Sequence, residues 1–285
     1  MTIEELLAQS AAQLVGVGIQ NARQEAGWLL AHVLGHSPIA VPVCGSERVP
    51  REKVECFQEL LVCRLAGEPL QYIIGSTEFY GLELAVGPGV LIPRPETERL
   101  VDFAVELCPS PGSVCDLCTG SGAVALALAH ELGENVEVTA VDISEKALAY
   151  ARRNAESLAL DHVEFLLGDL FGPVPPDARF DVVTANPPYV SPSAYNALPE
   201  EVRAHEPRLA LWADDCGLAL VRRIAEEARH FLSPHGYLLC EISSEQGAGA
   251  VDLLTALGYT QIEVRKDYTG RDRVVVGRCE RNAEY

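Results

Sequence analysis

The stretch Asp116-Leu117-Cys118-Thr119-Gly120-Ser121-Gly122-Ala123 connects an apolar strand pattern at residues 114–117 to a helical pattern at residues 123–132. Glycines allow the backbone of such a loop to approach a ligand, and the N-terminus of the following helix offers unpaired N–H groups. Asp142 ends the next strand pattern, where a carboxylate can accept both hydroxyls of a ribose. This part of the sequence predicts a strand–loop–helix unit that binds an adenosyl-containing cofactor.

The glycine loop by itself leaves the reaction open. The pattern Gly120-x-Gly122-x-x-Ala125 also fits the dinucleotide fingerprint, so a nicotinamide-dependent dehydrogenase competes here with a methyltransferase. A glycine turn with no ligand is a third interpretation. Cys115 and Cys118 have the spacing of a redox or metal pair, but Cys115 falls inside a strand pattern and no second pair completes a zinc site. We therefore expect no metal.

Strand and helix patterns alternate throughout the region around this loop. The predicted strands are residues 114–117, 136–142, 163–167, 180–185, 237–242 and 274–276, and the predicted helices are residues 123–132, 145–157 and 217–232. That alternation predicts an α/β fold with a doubly wound, mostly parallel sheet. A charged turn at residues 267–272 divides the late strands and indicates an antiparallel hairpin at one edge.

The N-terminal part of the chain has a helical pattern. Thr2-Ile3-Glu4-Glu5 is a capping box, Asn21 precedes a second amphipathic run, and Pro50 is placed to begin a third. A hairpin pattern around Gly81 and a proline-rich connector follow. We therefore predict a helical bundle at residues 1–75, a hairpin linker at residues 76–92 and the α/β domain at residues 93–285.

The composition is that of an acidic globular protein. The chain has 285 residues, 48% of them hydrophobic, and a formal net charge of −19. No segment is basic, so the sequence shows no electrostatic footprint for nucleic acid. The acidic N-terminus differs from a signal peptide, and no apolar run is long enough to span a membrane. With nine dispersed cysteines, we expect a reduced, cytoplasmic protein that contacts neither membranes nor, directly, nucleic acids.

The loop Asn186-Pro187-Pro188-Tyr189 follows the strand pattern at residues 180–185 and favours one reaction. Strand ends in such sheets open onto the ligand crevice, so this loop faces the glycine loop. The Asn186 side-chain oxygen and the Pro187 carbonyl can each accept one N–H of a planar NH2 group, and the prolines stiffen both acceptors. Tyr189 offers a flat face to that group and to a sulfonium. The pattern favours methyl transfer from S-adenosylmethionine to nitrogen over hydride transfer.

Several further motifs extend from the bundle to the last strands, at residues 67–73, 90–98, 206–207, 241–242, 246–247 and 267–273. Together with the two loops they resemble the HemK/PrmC family of peptide chain release factor glutamine methyltransferases over nearly the whole chain. The block Arg94-Pro95-Glu96-Thr97-Glu98 discriminates best, because general methyltransferases lack it. The resemblance implies a Rossmann-like class I methyltransferase domain with a small N-terminal helical bundle domain.

The resemblance also implies S-adenosylmethionine-dependent N5-methylation of the glutamine in the Gly-Gly-Gln motif of class-1 peptide chain release factors, and we expect a monomer. By motif, the cofactor-binding residues are Cys118, Thr119, Gly120, Ser121, Gly122, Asp142, Asp169, Leu170 and Asn186. The substrate-binding residues are Asn186, Pro187, Pro188 and Tyr189, of which Asn186, Pro187 and Tyr189 are also the predicted catalytic residues. Two alternatives remain open: a ribosomal-protein glutamine methyltransferase, suggested by His205 before Glu206-Pro207, and an N6-adenine nucleic-acid methyltransferase.

Overall fold

The computed structural model describes residues 1–41 and 43–280, which form two compact units. The first unit contains Met1–Ser76 and, far along the chain, Pro199–His205. The second contains Thr77–Leu198 and the described residues from Glu206 onward. The predicted hairpin linker at residues 76–92 therefore groups with the second unit, except for Ser76.

Four helices form most of the first unit: α1 (Ile3–Gly16), α2 (Ala22–Leu34), α3 (Arg51–Leu65) and α4 (Leu70–Ile74). The predicted capping box is present at α1, where the Glu5 N–H donates to Thr2 Oγ1 and the Thr2 N–H donates to Glu5 Oε2. Gly35 ends α2 in the left-handed conformation that glycine adopts at little cost. The apolar faces of the helices enclose a core around Leu30 and Phe57.

The described residues contain nine strands, seven further α-helices and three short 3-10 helices. The strands are β1 (Ser76–Phe79), β2 (Leu82–Ala85), β3 (Gly112–Leu117), β4 (Val136–Asp142), β5 (Val163–Leu167), β6 (Phe180–Ala185), β7 (Leu232–Glu241), β8 (Tyr259–Lys266) and β9 (Asp272–Cys279). The helices are α5 (Glu98–Leu107), α6 (Ala123–Leu132), α7 (Glu145–Leu158), α8 (Pro192–Asn196), α9 (Glu200–His205), α10 (Ala219–Phe231) and α11 (Gly247–Ala256). α9 belongs to the stretch that groups with the first unit.

Seven strands form one sheet in the order β5-β4-β3-β6-β7-β9-β8. The strands β5, β4, β3, β6 and β7 are parallel, whereas β9 is antiparallel to both β7 and β8. The predicted α/β fold and the predicted edge hairpin are confirmed. From β3 the chain proceeds outward to β4 and β5 and then returns to β6 on the other side, so the strand order reverses at β3. Such a reversal opens a crevice at the carboxyl ends of the strands.

Helices cover both faces of this sheet. Successive side chains of a strand point to opposite faces, and β3 accordingly places Val114 in one hydrophobic cluster and Cys115 in another. The first cluster includes apolar residues of α5 and α6, and the second includes those of α10 and α11. No helix in the described ranges is long and apolar enough to cross a membrane.

Candidate functional site

A cavity of about 320 Å³ opens where β3, β4 and β6 end. Its wall includes most of the predicted site residues: Cys118, Thr119, Gly120, Ser121, Asp142, Asp169, Leu170, Asn186 and Pro188. Three predicted residues, Gly122, Pro187 and Tyr189, are not among the described residues of the wall. The structure thus gathers both motif loops at the predicted edge of the sheet.

The glycine loop is closed by Asp142. Asp142 Oδ2 accepts a hydrogen bond from the Gly120 N–H, and its Oδ1 accepts one from the Ser144 N–H. The donor–acceptor distance is 2.8 Å in both. Gly120 has a φ of 59°, and the Cys118 backbone shares this left-handed conformation with a φ of 57°. Burial raises the pKa of Asp142, while the backbone donors lower it. Each carboxylate oxygen still has a lone pair for a further donor from the cavity.

Gly122 has a structural part in this loop. It precedes α6 with a φ of 82°, and a Cβ atom at this position would lie 3.1 Å from both Ala151 Cβ and Leu126 Cδ1. A side chain there would strain the backbone and crowd α7. Gly122 therefore shapes the loop from behind the cavity wall.

Asp116 is a buried carboxylate in the cavity wall that sequence reasoning did not select. Its Oδ1 accepts from Thr184 Oγ1 over 2.8 Å, whereas its Oδ2 and the nearby Thr119 Oγ1 have no hydrogen-bond partner among the described residues. Burial raises the pKa of Asp116 to about 7. Buried polar atoms of this kind fit a ligand that brings hydrogen-bond donors into the cavity. The feature of the sequence that could have indicated Asp116 is the presence of an acidic residue near the end of an apolar strand.

The opposite side of the cavity combines apolar and charged groups. Asp169 Oδ2 accepts from Arg223 Nη2 over 2.9 Å, and Leu170 is buried behind it with a φ of 48°. Ile143 is 55% exposed although it is a large apolar residue in the cavity wall. An apolar side chain beside hydrogen-bonding groups suits a flat heteroaromatic ring.

The loop Asn186–Tyr189 is held in one arrangement at several points. Asn186 Nδ2 donates to Thr97 Oγ1 over 3.1 Å, so the amide nitrogen faces Thr97. The Tyr189 hydroxyl donates to Glu241 Oε1 over 3.2 Å. Pro187 is buried, whereas Pro188 reaches the cavity wall. Hydrogen bonds to Thr97 and Glu241 thus orient the amide group of Asn186 and the side chain of Tyr189.

Gln246 ties the backbone of this loop to two other segments. Its Nε2 donates to the Tyr189 carbonyl over 3.2 Å and to the Cys216 carbonyl over 2.8 Å, while its Oε1 accepts from the Ser243 N–H over 2.8 Å. A Cβ atom on Gly217 would lie 2.1 Å from the Tyr189 carbonyl oxygen, so only glycine fits there. The Gln246-Gly247 motif therefore supports the Asn186–Tyr189 loop.

The connector before α5 belongs to the site as well. Val90, Leu91 and Pro93 are part of the cavity wall. Buried Glu206 accepts from the Ile92 N–H through Oε2 over 3.1 Å and forms an ion pair with Arg94 through Oε1. The ion pair therefore joins the Arg94–Glu98 block to the Glu206-Pro207 motif.

Replacing Asp116 with Asn is expected to stabilise the folded protein more as the pH rises. Folding raises the pKa of this acid from 3.8 to about 7, so its proton is bound more tightly in the folded state. Its favourable contribution to stability is complete below about pH 4, is lost progressively as the pH rises, and is gone above about pH 7. Urea unfolding between about pH 4 and pH 8 should show an advantage of Asp116→Asn over the wild type that grows up to about pH 7 and then levels off. A constant difference would show that Asp116 titrates with an ordinary pKa.

Comparison with known proteins adds two family models and many relatives. A model described as the PrmC N-terminal domain matches residues 5–75, and a model described as a methyltransferase domain matches residues 110–266. A release factor glutamine methyltransferase of Vibrio cholerae is 38% identical over 285 residues, covering 100% of this chain and 99% of its own. One of Geobacter sulfurreducens is 38% identical over 277 residues, covering 97% and 96%.

Solved structures agree on the fold. A methyltransferase from Pyrococcus furiosus superposes with a TM-score of 0.53 at 21% identity, covering 70% of this chain and 90% of its own. The Thermus thermophilus 16S rRNA N2 G1207 methyltransferase, solved with AdoMet and guanosine, gives a TM-score of 0.50 at 19% identity, covering 72% and 50%. At these identities the similarity shows the class I methyltransferase fold alone.

Proposed function

Because the chain belongs to the release factor glutamine methyltransferase family, we propose that it methylates N5 of the glutamine in the Gly-Gly-Gln motif of class-1 peptide chain release factors, with S-adenosylmethionine as the methyl donor. The observation that carries the proposal is the Asn186–Tyr189 loop at the edge of the cavity, with the Asn186 amide nitrogen already engaged by Thr97. Its amide oxygen is then available to a substrate NH2 group. Because translation termination takes place in the cytoplasm, we also propose a cytoplasmic location.

The residues of the cavity fit the proposed cofactor. The free lone pairs of Asp142 would accept the ribose hydroxyls, and Asp116 Oδ2 with Thr119 Oγ1 would accept from the amino group of the methionine part. Asp169, Leu170 and Ile143 would border the adenine. When bound, S-adenosylmethionine supplies an electrophilic methyl group on a positively charged sulfur. Burial of the acceptors strengthens their interaction with such a cation.

The substrate loop of the protein would then hold the target nitrogen in line. A carboxamide nitrogen is a poor nucleophile because its lone pair is delocalised into the carbonyl. Asn186 Oδ1 and the Pro187 carbonyl would each accept one N–H, which fixes the nitrogen and favours a pyramidal geometry. The ring of Tyr189 would lie against the planar amide. No strong base is needed, since the methylated nitrogen loses its proton readily.

The overall charge supports a protein substrate over a nucleic acid. The net charge of −19 opposes the approach of a phosphate backbone. The N6-adenine reaction therefore stays an alternative only through the loop motif it shares. The ribosomal-protein alternative is not separated by charge and has to be tested directly.

The test is methyl transfer from labelled S-adenosylmethionine to four separate substrates. These are a class-1 release factor, the same factor with its Gly-Gly-Gln glutamine changed to asparagine, a large-subunit ribosomal protein and duplex DNA. We expect label in the intact release factor alone. Label in the ribosomal protein or in DNA, with none in the release factor, would replace the proposed function by that alternative.

Asp142→Ala is expected to weaken S-adenosylmethionine binding by about 1.5–3 kcal/mol, the scale of hydrogen bonds to a charged group. The change removes the proposed ribose acceptor, the hydrogen bond from the Gly120 N–H that closes the glycine loop and the hydrogen bond from the Ser144 N–H before α7. Isothermal titration calorimetry measures the loss, and NAD serves as the control ligand. Binding of NAD with no heat from S-adenosylmethionine would restore the dehydrogenase interpretation.

We further propose that the first unit recognises the body of the release factor, because it contains none of the residues of the cavity wall. A protein beginning at Thr77 should keep its affinity for the cofactor and lose most of its activity on an intact release factor. Since Pro199–His205 group with the removed unit, a short peptide containing Gly-Gly-Gln is the control for damage to the active-site region. Full activity on the intact factor would reduce the bundle to a stabilising role.

A further inference from the structure

The orientation of the Asn186 amide decides whether its oxygen is available to a substrate. With Asn186 Nδ2 donating to Thr97 Oγ1, Oδ1 is left for another donor. If the amide were turned over, its nitrogen would meet the N–H groups of the target, and donor would face donor. The Asn186 oxygen is therefore available to a substrate only when the Thr97 hydroxyl accepts a hydrogen bond from Asn186 Nδ2.

Glu241 emerges beside Asn186 at the carboxyl edge of the sheet. β6 and β7 are parallel, and Ala185 lies opposite Cys240, so the next residues along the two strands are neighbours. The Thr97 hydroxyl also acts on the Glu241 carboxyl group and lowers its pKa against the effect of burial. A carboxylate has only acceptors, so a hydroxyl that stabilises its charge does so by donating.

The two oxygens of Glu241 differ in their partners. The side chain is 1% exposed, and Oε1 accepts from the Tyr189 hydroxyl. Oε2 is buried and, among the described residues, has no hydrogen bond of ordinary geometry. A buried carboxylate oxygen without a donor is unfavourable, and the Thr97 hydroxyl, which already acts on this carboxyl group, is the donor that would relieve it. With its one proton directed there, Thr97 can only accept from Asn186.

We propose that Glu241 is a positioning residue: its carboxylate draws the Thr97 hydroxyl proton, and Thr97 thereby holds the Asn186 amide with Oδ1 toward the target nitrogen. This inference rests on the proposed function, because it assumes that the Asn186 oxygen receives a substrate N–H. It assigns a role to Thr97, the one buried residue in the Arg94–Glu98 block. It also gives the Glu241-Ile242 motif a role in substrate orientation.

The charge state of Glu241 sets the conditions for a test. Burial raises its pKa to about 7, Thr97, Arg273 and the Tyr189 hydroxyl lower it, and Glu96 raises it. Arg273 is itself held by an ion pair with Asp267 and donates to the Ile242 carbonyl. Assays at about pH 8 therefore keep Glu241 as the carboxylate on which the proposal depends.

Near-isosteric variants separate the proposed relay from simple packing. Thr97→Val and Glu241→Gln should each lower kcat by about ten- to a hundredfold, while the KM for the release factor and the cofactor Kd change by less than about twofold. Valine removes the hydroxyl, and a glutamine NH2 can donate to Thr97 and reverse its polarity. Thr97→Ser retains the hydroxyl and should stay within about threefold of the wild type.

A double-mutant cycle tests whether Glu241 acts on Asn186 through Thr97. If Glu241 acts through Thr97, the double variant Thr97→Val with Glu241→Gln should be no slower than the slower single variant. Tyr189→Phe removes the hydroxyl that donates to the other carboxylate oxygen, Glu241 Oε1. The fall in kcat that this variant causes should instead add to the fall caused by Thr97→Val. Additive losses for Thr97 and Glu241, or unchanged kcat in both single variants, would overturn the proposal.

A second measurement needs no substrate. In protein labelled with ¹⁵N-asparagine, the Asn186 side-chain NH2 signal, assigned by its loss in Asn186→Asp, should exchange slowly with solvent in the wild type and in Thr97→Ser. Thr97→Val and Glu241→Gln should accelerate that exchange. If release-factor methylation fails in the wild type but this pattern holds, the proposed function is wrong and the orientation of Asn186 stands. If wild-type methylation holds and the exchange is unchanged in both variants, the positioning role of Glu241 is wrong.

Discussion

Asn186→Ala is expected to lower kcat for methylation of the release factor by about 10²–10³-fold, the usual cost of removing one preorganised electrostatic partner. The variant removes one of the two proposed acceptors for the target NH2 and leaves Pro187, Pro188 and Tyr189 in place. Because the interaction strengthens as the nitrogen becomes pyramidal, the loss falls on kcat more than on cofactor affinity. Single-turnover methyl transfer, with calorimetry for the cofactor, separates the two.

Asn186→Asp is the matched variant, because it keeps nearly the same shape. It retains an acceptor for the substrate, yet it loses the Nδ2 donor to Thr97 and places a carboxylate beside the proposed sulfonium. Tighter cofactor binding in the ground state and poorer alignment should result. We expect Asp to retain more activity than Ala and less than Asn.

Unchanged rates for Asn186→Ala would mean that the amide is held by other residues. The release factor with asparagine in place of its Gly-Gly-Gln glutamine is the substrate control, since its shorter side chain cannot reach the same acceptors. Activity on that control would show that the transfer measured is not at the proposed nitrogen.

The sheet could be predicted because its signals are local. The strand ends at Leu117, Asp142 and Ala185 each coincide with the end of an apolar run, and the two loops that follow β3 and β6 carry recognisable motifs. In a parallel sheet the carboxyl ends meet at one edge, so knowing the strands was enough to bring the loops together. The helix α5 was not predicted, although its first turn carries Glu98 of the discriminating block.

The supporting residues could not be predicted from the sequence in the same way. Thr97 and Glu241 are separated by much of the α/β domain, and only the register of β6 against β7 places Glu241 beside Asn186. Gln246 holds Tyr189 through a backbone carbonyl, which leaves no signal in residue type. A buried acid among the last residues of an apolar strand, as at Asp116 and Glu241, was the pattern that would have indicated the two carboxylates.

Burial of Arg64 is a further feature that helical periodicity does not reveal. Arg64 is a charged residue of α3, yet its side chain is only 5% exposed. Its guanidinium contacts Glu25 Oε2 at 2.6 Å, Glu201 Oε2 at 3.0 Å and the Glu68 carbonyl at 3.0 Å. Glu201 lies in α9, so this arginine joins the late stretch Pro199–His205 to the helices of the first unit.

Arg64→Leu is expected to lower the free energy of unfolding by about 3 kcal/mol, at the lower end of the cost of breaking a buried ion pair. The change leaves Glu25, whose side chain is 16% exposed, without its cation, whereas Glu201 at 36% can recover water. Arg64→Lys keeps the charge but cannot reach three acceptors at once, so its loss should be intermediate. Urea unfolding followed by circular dichroism measures each variant.

Arg51→Leu is the matched control, because Arg51 lies on the same helix and also forms an ion pair, with Glu55 at a distance of 2.8 Å. Both side chains of this pair are exposed, Arg51 at 92% and Glu55 at 59%. A solvated pair of this kind contributes about 0–1 kcal/mol, so the control should change stability little, and salt should weaken what effect it has. If Arg64→Leu and Arg51→Leu lower the free energy of unfolding by the same amount, burial does not strengthen the ion pairs of Arg64. The stretch Pro199–His205 would then owe its place in the first unit to its other contacts.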